Sequence, residues 1–124
     1  MKFVLISPIF GEVTSGFNYS TKHFATDIAV PTNSPVKSVA NGTVILAEWT
    51  IQTGYVVIIE HLYGLTSVYK HNDSGLVSQG DPVKAGQVIA LSGNTGELTT
   101  GPHLHFELWR DGSPVNAEDY VSFE

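Results

Sequence analysis

The chain has 124 residues, no cysteine, and six Lys and Arg against twelve Asp and Glu, which gives a formal net charge of -6. A chain of this length fits one domain that buries about two-thirds of its unfolded surface, and we expect a single domain over residues 1–124 without a linker. The lack of cysteine excludes a disulfide framework and a Cys-ligated metal site. The acidic balance and the lack of any basic run argue against a nucleic-acid partner.

The beginning of the chain shows no export or membrane signal. After the single cation Lys2, residues 3–6 form a run of four apolar side chains before Ser7-Pro8, fewer than the apolar run of about 7 to 15 residues in a signal peptide. No stretch is long and apolar enough for a transmembrane helix. Residues 3–18 predict one or two short strands.

The next segment places His23 and Asp27 four residues apart. That spacing would put both on one face of a helix, but the flanking Thr26, Ile28 and Val30 favour extended structure. In a straight strand the two side chains would lie about 13 Å apart, too far to share an ion. If they act together, the chain must bend between them.

The middle of the chain predicts several strands. Asn41-Gly42 lies between two apolar runs, a pattern that predicts a tight hairpin joining residues 35–40 to residues 43–49. Residues 54–61 form a near-continuous apolar run, typical of a strand buried on both faces. Residues 65–71 alternate, which predicts a return strand that ends at His71.

Residues 77–92 predict a further turn-rich pair of strands. Within them, Pro82-Val83-Lys84 repeats the earlier Pro35-Val36-Lys37, and a glycine and an apolar strand follow each copy. A short internal repeat of this kind is expected in a sandwich made of two similar halves. Residues 93–101 then predict a flexible, hydroxyl-rich loop.

The most informative strand is residues 103–109, where His103 and His105 are one residue apart. Alternation puts side chains i and i+2 on one face, about 6.5 Å apart, and turns Leu104, Phe106 and Leu108 toward a core. Neutral imidazoles bind zinc, which takes three or four ligands. The pair therefore suits a metal centre, although His-x-His also occurs as an ordinary polar pair on a strand.

The end of the chain adds a hairpin turn at residues 110–113 and a tail at residues 116–124 with room for one helical turn. The many short strands and turns predict an all-β architecture.

The histidines and Asp27 together resemble the motif set of the lysostaphin/LytM-type peptidoglycan endopeptidases, which are zinc metallopeptidases. The resemblance extends from about residue 8 to residue 114. It implies an antiparallel β sandwich, like a duplicated hybrid motif, with an active-site groove on one sheet. It also implies one Zn²⁺ per chain held by His23, Asp27 and His105, with His103 and His71 as the catalytic pair.

The chemistry of these residue types agrees with the implied roles. Two imidazoles and one carboxylate leave a fourth tetrahedral position for water, as in catalytic zinc sites. A histidine held off the metal can accept the proton of that water and pass it to the leaving amine, which is the role expected of His103. His71 would hold the water or stabilise the oxyanion.

The resemblance implies zinc-dependent hydrolysis of peptide bonds in peptidoglycan stem peptides or cross-bridges, in the periplasm or outside the cell. A crosslink between D-alanine and a diamino acid is the first expectation for the target bond, and a glycine bridge is the second. The sequence does not indicate an oligomeric state.

Two residues need separate interpretation. The fifth histidine, His61, precedes a turn and is interpreted as structural. Ala25 stands two residues after the first implied ligand, where the family usually has glycine. If the backbone there has a positive φ, alanine costs about 1 to 2 kcal/mol.

Three other classes of protein compete with this interpretation. A non-catalytic LytM-type domain would bind the wall and regulate other hydrolases, but such members lose metal ligands and this chain keeps them. A phosphocarrier of the sugar phosphotransferase type would use paired histidines without needing Asp27. A biotinyl or lipoyl carrier is suggested only by the short segment around Lys84, which lacks the expected flanking residues.

Overall fold

The computed structural model describes residues 5–94 and 101–124. Those residues form ten strands and one short 3-10 helix, and the strand pairs are antiparallel, so the predicted fold class is confirmed. The strands are β1 Glu12–Ser15, β2 Thr26–Ala29, β3 Pro35–Lys37, β4 Gly42–Thr50, β5 Gly54–Glu60, β6 Leu65–Gly75, β7 Pro82–Val83, β8 Val88–Ser92, β9 His103–Arg110 and β10 Ser113–Val115, and the 3-10 helix is Ala117–Asp119.

The strands hydrogen-bond into one connected sheet. Its main path runs β1-β2-β9-β6-β5-β4-β7. β10 pairs with β9 through a two-residue turn at Asp111 and Gly112, whose φ angles are 51° and 82°. Positive φ at both turn residues is what the right-handed twist of a tight hairpin requires, and the hairpin predicted at residues 110–113 is confirmed. Asn116 caps the predicted helical turn by accepting a hydrogen bond from the Glu118 backbone.

β6 is the strand at which the sheet branches. Its first part, through Lys70, pairs with β9, and its last part, from Asn72, pairs with β8. The change of partner falls at His71, whose φ is 66°, an uncommon conformation for a residue with a Cβ. The prediction that the strand ends at His71 was wrong, because the strand exchanges one partner for another there and continues to Gly75.

The hairpin predicted at Asn41-Gly42 was also wrong. β3 pairs with β8, while β4 pairs with β5 and β7. Neither turn residue has the positive φ that such a hairpin needs. Gly42 meets a different requirement, because a Cβ at this position would strike the Glu60 carbonyl and lie 2.8 Å from Nδ1 of His61.

The two Pro-Val-Lys segments exchange partners. β3, at the first copy, pairs with β8, which follows the second copy; β7, at the second copy, pairs with β4, which follows the first. Val36 and Val83 are both buried. β7 and β8 therefore do not pair with each other as predicted, and the two similar halves are interlocked.

The core lies against one face of β9. Leu104, Phe106 and Leu108 are at most 1% exposed, and Phe106 packs on the buried ring of Tyr69 with the ring centroids 5.3 Å apart. The alternation predicted for this strand is confirmed. Because the apolar side chains hold the strand by one face, its histidines must project from the other. Within the described residues, no helix is long and apolar enough to cross a membrane.

His61 belongs to a buried polar network. Its Nδ1–H donates to the carbonyl of Asn41 (2.8 Å), and its Nε2 lies 2.7 Å from Oγ of Ser67. Burial lowers the pKa of His61 below its usual value, and the hydrogen bond to Asn41 opposes this only in part. The contacts fit a structural histidine that is neutral in the folded chain.

This burial predicts a pH dependence of stability. Below about pH 6.5 the unfolded chain binds a proton at residue 61 that the folded chain does not. The free energy of unfolding should therefore fall as the pH drops from about 6.5 toward the lower folded pKa, by about 1.4 kcal/mol for each unit of pKa difference. Urea unfolding of the unmodified chain and of His61→Gln at several pH values measures the contribution of His61 to this pH dependence. An equally steep loss of stability in the variant would contradict it.

Candidate metal centre

His23 lies in the loop between β1 and β2. Two backbone hydrogen bonds join it to Asn18, one of 2.9 Å and one of 3.0 Å, and close a short turn. Lys22, just before His23, has a φ of 59°, so the chain reverses before it enters β2. The bend that His23 and Asp27 require is present, because this reversal brings the loop histidine back over the strand.

Asp27 and His105 are directly opposed on the neighbouring strands β2 and β9. Nδ1 of His105 lies 3.0 Å from Oδ1 of Asp27, and Nε2 of His23 lies 3.2 Å from Oδ2. One ligand atom from each residue lies within 4.8 Å of the other two. The structure thus brings the three predicted ligands together.

The atoms that converge there suit a divalent cation. Oδ1 of Asp27 is shielded from solvent and has no hydrogen bond of good geometry within the described residues, although Nδ1 of His105 is close. Nδ1 of His23 lies 2.8 Å from the Gly16 carbonyl, and Nε2 of His105 lies 2.8 Å from Oε2 of Glu107. Each contact uses the N–H of a neutral ring and leaves the other nitrogen as a lone pair. Two such nitrogens and a carboxylate form a donor set that zinc accepts.

The predicted catalytic histidines lie beside this cluster. Nε2 of His103 is 3.9 Å from Oδ1 of Asp27, and Nδ1 of His103 is 2.7 Å from the carbonyl of Gly101. Because a carbonyl only accepts, Nδ1 carries the hydrogen and Nε2 can accept a proton. The ring of His71 has its centroid 5.2 Å from that of His103 and 5.7 Å from that of His105. All five predicted residues therefore meet in one place.

The electrostatics of the cluster favour an ionised Asp27. Burial alone would raise the pKa of Asp27, but His105, His103 and His23 hold it below its usual value. Burial alone would lower the pKa of His105, and Asp27 and Glu107 raise it instead. A positive charge among the imidazoles stabilises the ionised carboxylate, and a metal ion can supply that charge in place of a proton.

Glu107 contacts His105 in the cluster but is not among the site residues predicted from the sequence. Its Oε2 lies 2.8 Å from Nε2 of His105 and 2.9 Å from Nζ of Lys70, and its Oε1 accepts a hydrogen bond of 2.9 Å from Nε1 of Trp109. Burial would raise the pKa of Glu107, but these donors lower it to about 2. Strand alternation was a usable signal, since a residue two positions after His105 faces the same way.

Two clefts continue from the cluster along β9. One, of about 330 Å³, is lined by residues that include Ser15, Asp27, Gly101 and His103. The other, of about 360 Å³, is lined by residues that include Ile58, Val68, Lys70, Glu107 and Trp109. The first meets β9 at its beginning and the second toward its end, so the sheet carries a depression on either side of His105.

Two expectations from the sequence concern residues near the site. Ala25 is buried and does not have a positive φ, so the replacement of the usual glycine causes no backbone strain. Most of the loop predicted at residues 93–101 lies outside the described residues.

A comparison with known families assigns the chain to a peptidase family. Residues 21–117 match peptidase family M23. The match covers most of the sequence, and the chain belongs to this family.

Two curated relatives illustrate the range of the family. The peptidoglycan DD-endopeptidase ShyB of Vibrio cholerae is 40% identical over 121 residues, which cover 90% of this chain and 28% of that protein. The murein hydrolase activator EnvC of Escherichia coli is 44% identical over 94 residues, which cover 76% of this chain and 22% of that protein. The chain thus spans about a quarter of the length of these relatives.

Solved structures agree on the fold. A zinc-containing peptidase from Vibrio cholerae superposes with a TM-score of 0.85 and 38% identity, covering 94% of this chain and 39% of that one. Lysostaphin, the antimicrobial peptidase of Staphylococcus simulans, gives a TM-score of 0.79 and 28% identity, covering 89% of this chain and 48% of that one. The lysostaphin-like fold predicted from the sequence is confirmed.

Proposed function

We propose that this chain is a zinc-dependent endopeptidase domain that hydrolyses peptide bonds in peptidoglycan stem peptides or cross-bridges. The observation that carries the proposal is the convergence of His23, Asp27 and His105 within 4.8 Å of one another, with the proton-accepting Nε2 of His103 3.9 Å from Asp27. The description of ShyB as a peptidoglycan DD-endopeptidase supports the substrate and a place of action in the cell envelope.

The three converging residues would hold one zinc ion per chain. His23 would bind through Nε2, His105 through Nδ1, and Asp27 through its carboxylate, because these are the atoms that face one another. When bound, zinc supplies a Lewis acid that polarises a peptide carbonyl and lowers the pKa of water to about 7. Three protein ligands leave a position open to solvent and substrate.

His103 is proposed as the group that moves the proton. Its Nδ1–H is held by the Gly101 carbonyl, so Nε2 is the nitrogen that accepts a proton from the attacking water and gives it to the leaving amine. Its ring is held beside the cluster by strand pairing, since the neighbouring His105 is registered against Asp27. His71, adjacent to both rings of β9, would hold the water or stabilise the oxyanion.

The clefts on either side of His105 suit an extended peptide that lies along β9. The side lined by Ile58, Val68 and Trp109 offers apolar contact, while the side of Ser15 and His103 is more polar. A crosslink between D-alanine and a diamino acid is the first candidate for the cleaved bond, and a glycine bridge is the second.

Digestion of purified peptidoglycan tests the proposal. We expect the zinc-loaded chain to convert crosslinked muropeptides to monomers, a zinc chelator to stop the conversion, and added zinc to restore it. Mass spectrometry of the products identifies the bond. Intact crosslinks after treatment with protein that carries one zinc per chain would contradict the proposal.

A non-catalytic wall-binding regulator is the second candidate. The relationship to EnvC, described as a murein hydrolase activator, favours it. An activator would stimulate another hydrolase without cleaving peptides itself, and the stimulation would survive chelation of zinc. The five histidine and aspartate side chains that meet at the site support the enzyme instead, since activation alone does not call for them.

A further inference from the structure

We propose that Glu107 is a positioning residue that selects the tautomer of His105 and so presents Nδ1 of that ring to the metal. Lys70 and Trp109 would hold the Glu107 carboxylate in place for this task. The inference rests on the proposed function to the extent that it assumes a zinc ion at the cluster of His23, Asp27 and His105.

The contacts of Glu107 determine which nitrogen of His105 carries the hydrogen. Oε2 of Glu107 lies 2.8 Å from Nε2 of His105. The same oxygen lies 2.9 Å from the ammonium of Lys70, which favours an ionised carboxylate. An ionised carboxylate only accepts hydrogen bonds, so Nε2 of His105 must be the nitrogen that carries the hydrogen.

The position of this hydrogen determines which nitrogen of His105 can bind a metal. A neutral ring has one N–H, so a hydrogen on Nε2 leaves a lone pair on Nδ1. Nδ1 is the atom that faces Asp27, 3.0 Å from Oδ1. In the opposite tautomer a hydrogen would stand between His105 and Asp27, and the ring would be a hydrogen-bond donor there instead of a metal ligand.

Lys70 and Trp109 restrain the orientation of the Glu107 carboxylate. Lys70 is the cross-strand partner of His105 on β6, and Trp109 follows Glu107 by two residues on the same face of β9. Lys70 contacts Oε2, and Nε1 of Trp109 donates to Oε1 over 2.9 Å. With both oxygens engaged, the carboxylate keeps its direction toward Nε2 and is restrained from turning to the ion itself.

His23 and His103 are oriented by backbone groups, whereas His105 is oriented by a side chain. His23 and His103 each have Nδ1 against a backbone carbonyl, that of Gly16 and that of Gly101. His105 relies on the side chain of Glu107. A single substitution can therefore change the orientation of one ligand while the hydrogen bonds of the other two rings stay in place.

The test compares Glu107→Leu and Glu107→Gln with the unmodified chain. Zinc affinity is measured by competition with a chromogenic chelator, and the protonated nitrogen of each ring by ¹⁵N NMR of the imidazoles. We expect Glu107→Leu to weaken zinc binding by about 10- to 100-fold. Glu107→Gln keeps an oxygen that can accept from Nε2 and should lose less. Glu48→Gln, an exposed position on β4 that is separated from β9 by β5 and β6, is the matched control.

The outcomes separate this inference from the proposed function. Unchanged zinc affinity and an unchanged His105 tautomer in folded Glu107→Leu would overturn the inference, even if the unmodified chain cleaves peptidoglycan. If Glu107→Leu does not fold, the same two measurements on Glu107→Gln decide. Zinc binding that depends on Glu107, without peptidoglycan cleavage by the unmodified chain, would support the inference and contradict the proposed function. Failure of the unmodified chain to bind zinc would overturn both.

Discussion

His103→Ala is expected to bind one zinc ion per chain and to lose nearly all hydrolysis, with kcat lower by about 10² to 10⁴. The reason lies in the division between the two histidines of β9. Nδ1 of His105 is 3.0 Å from Oδ1 of Asp27, whereas Nε2 of His103 is 3.9 Å away from the same oxygen and its Nδ1 is bound to the Gly101 carbonyl. Removal of His103 therefore removes the proposed proton acceptor and keeps the three proposed ligands.

Elemental analysis of purified His103→Ala measures its zinc content, and digestion of wall material measures its hydrolytic activity. Thermal unfolding in the presence of zinc provides the control, because bound metal stabilises the folded state by an amount set by its affinity. The unmodified chain and His103→Ala should show the same rise in melting temperature. Full activity in His103→Ala would rule out its assignment as the base.

His105→Ala is expected to lose both the metal and the activity. It removes one of the three proposed ligands, and it also leaves the carboxylate of Asp27, which is shielded from solvent at Oδ1, without the imidazole opposite it on β9. Two remaining ligands from the loop and β2 fall short of the three that zinc needs in a catalytic site.

The effect of zinc on the melting temperature distinguishes His103→Ala from His105→Ala most clearly. Zinc should raise the melting temperature of His103→Ala and leave that of His105→Ala unchanged. A stoichiometric zinc ion in purified His105→Ala would contradict the ligand assignment, and would direct attention to His71, whose ring lies 5.7 Å from that of His105.

The parts of the fold that depend on local pattern were predictable from sequence. In β9 a strict alternation puts Leu104 and Phe106 in the core and His103 and His105 on the opposite face, because side chains of a strand alternate by geometry alone. The Asp-Gly turn after this strand was predictable for a similar reason, since its two residues set the turn conformation themselves.

The parts that depend on distant partners were not predictable in the same way. Asn41-Gly42 has the composition of a hairpin turn, yet the flanking strands find partners elsewhere in the chain. The run of turn-forming residues after His71 predicts the end of a strand there, but β8 provides a new partner from Asn72 onward. Pairing of this kind is a tertiary effect that overrides local preference.

The order of the strands also has a consequence for the stage of folding at which the proposed zinc ion could bind. Asp27 and His105 are neighbours across β2 and β9 but lie far apart in the chain, and the ladder between β9 and β6 must form as well before His71 joins them. A nascent chain that has been synthesised only through β8 contains His23 and Asp27 but lacks His105. We therefore expect zinc capture to be a late event in biogenesis that follows docking of β9, since a metal site is seldom formed before its ligands fold together.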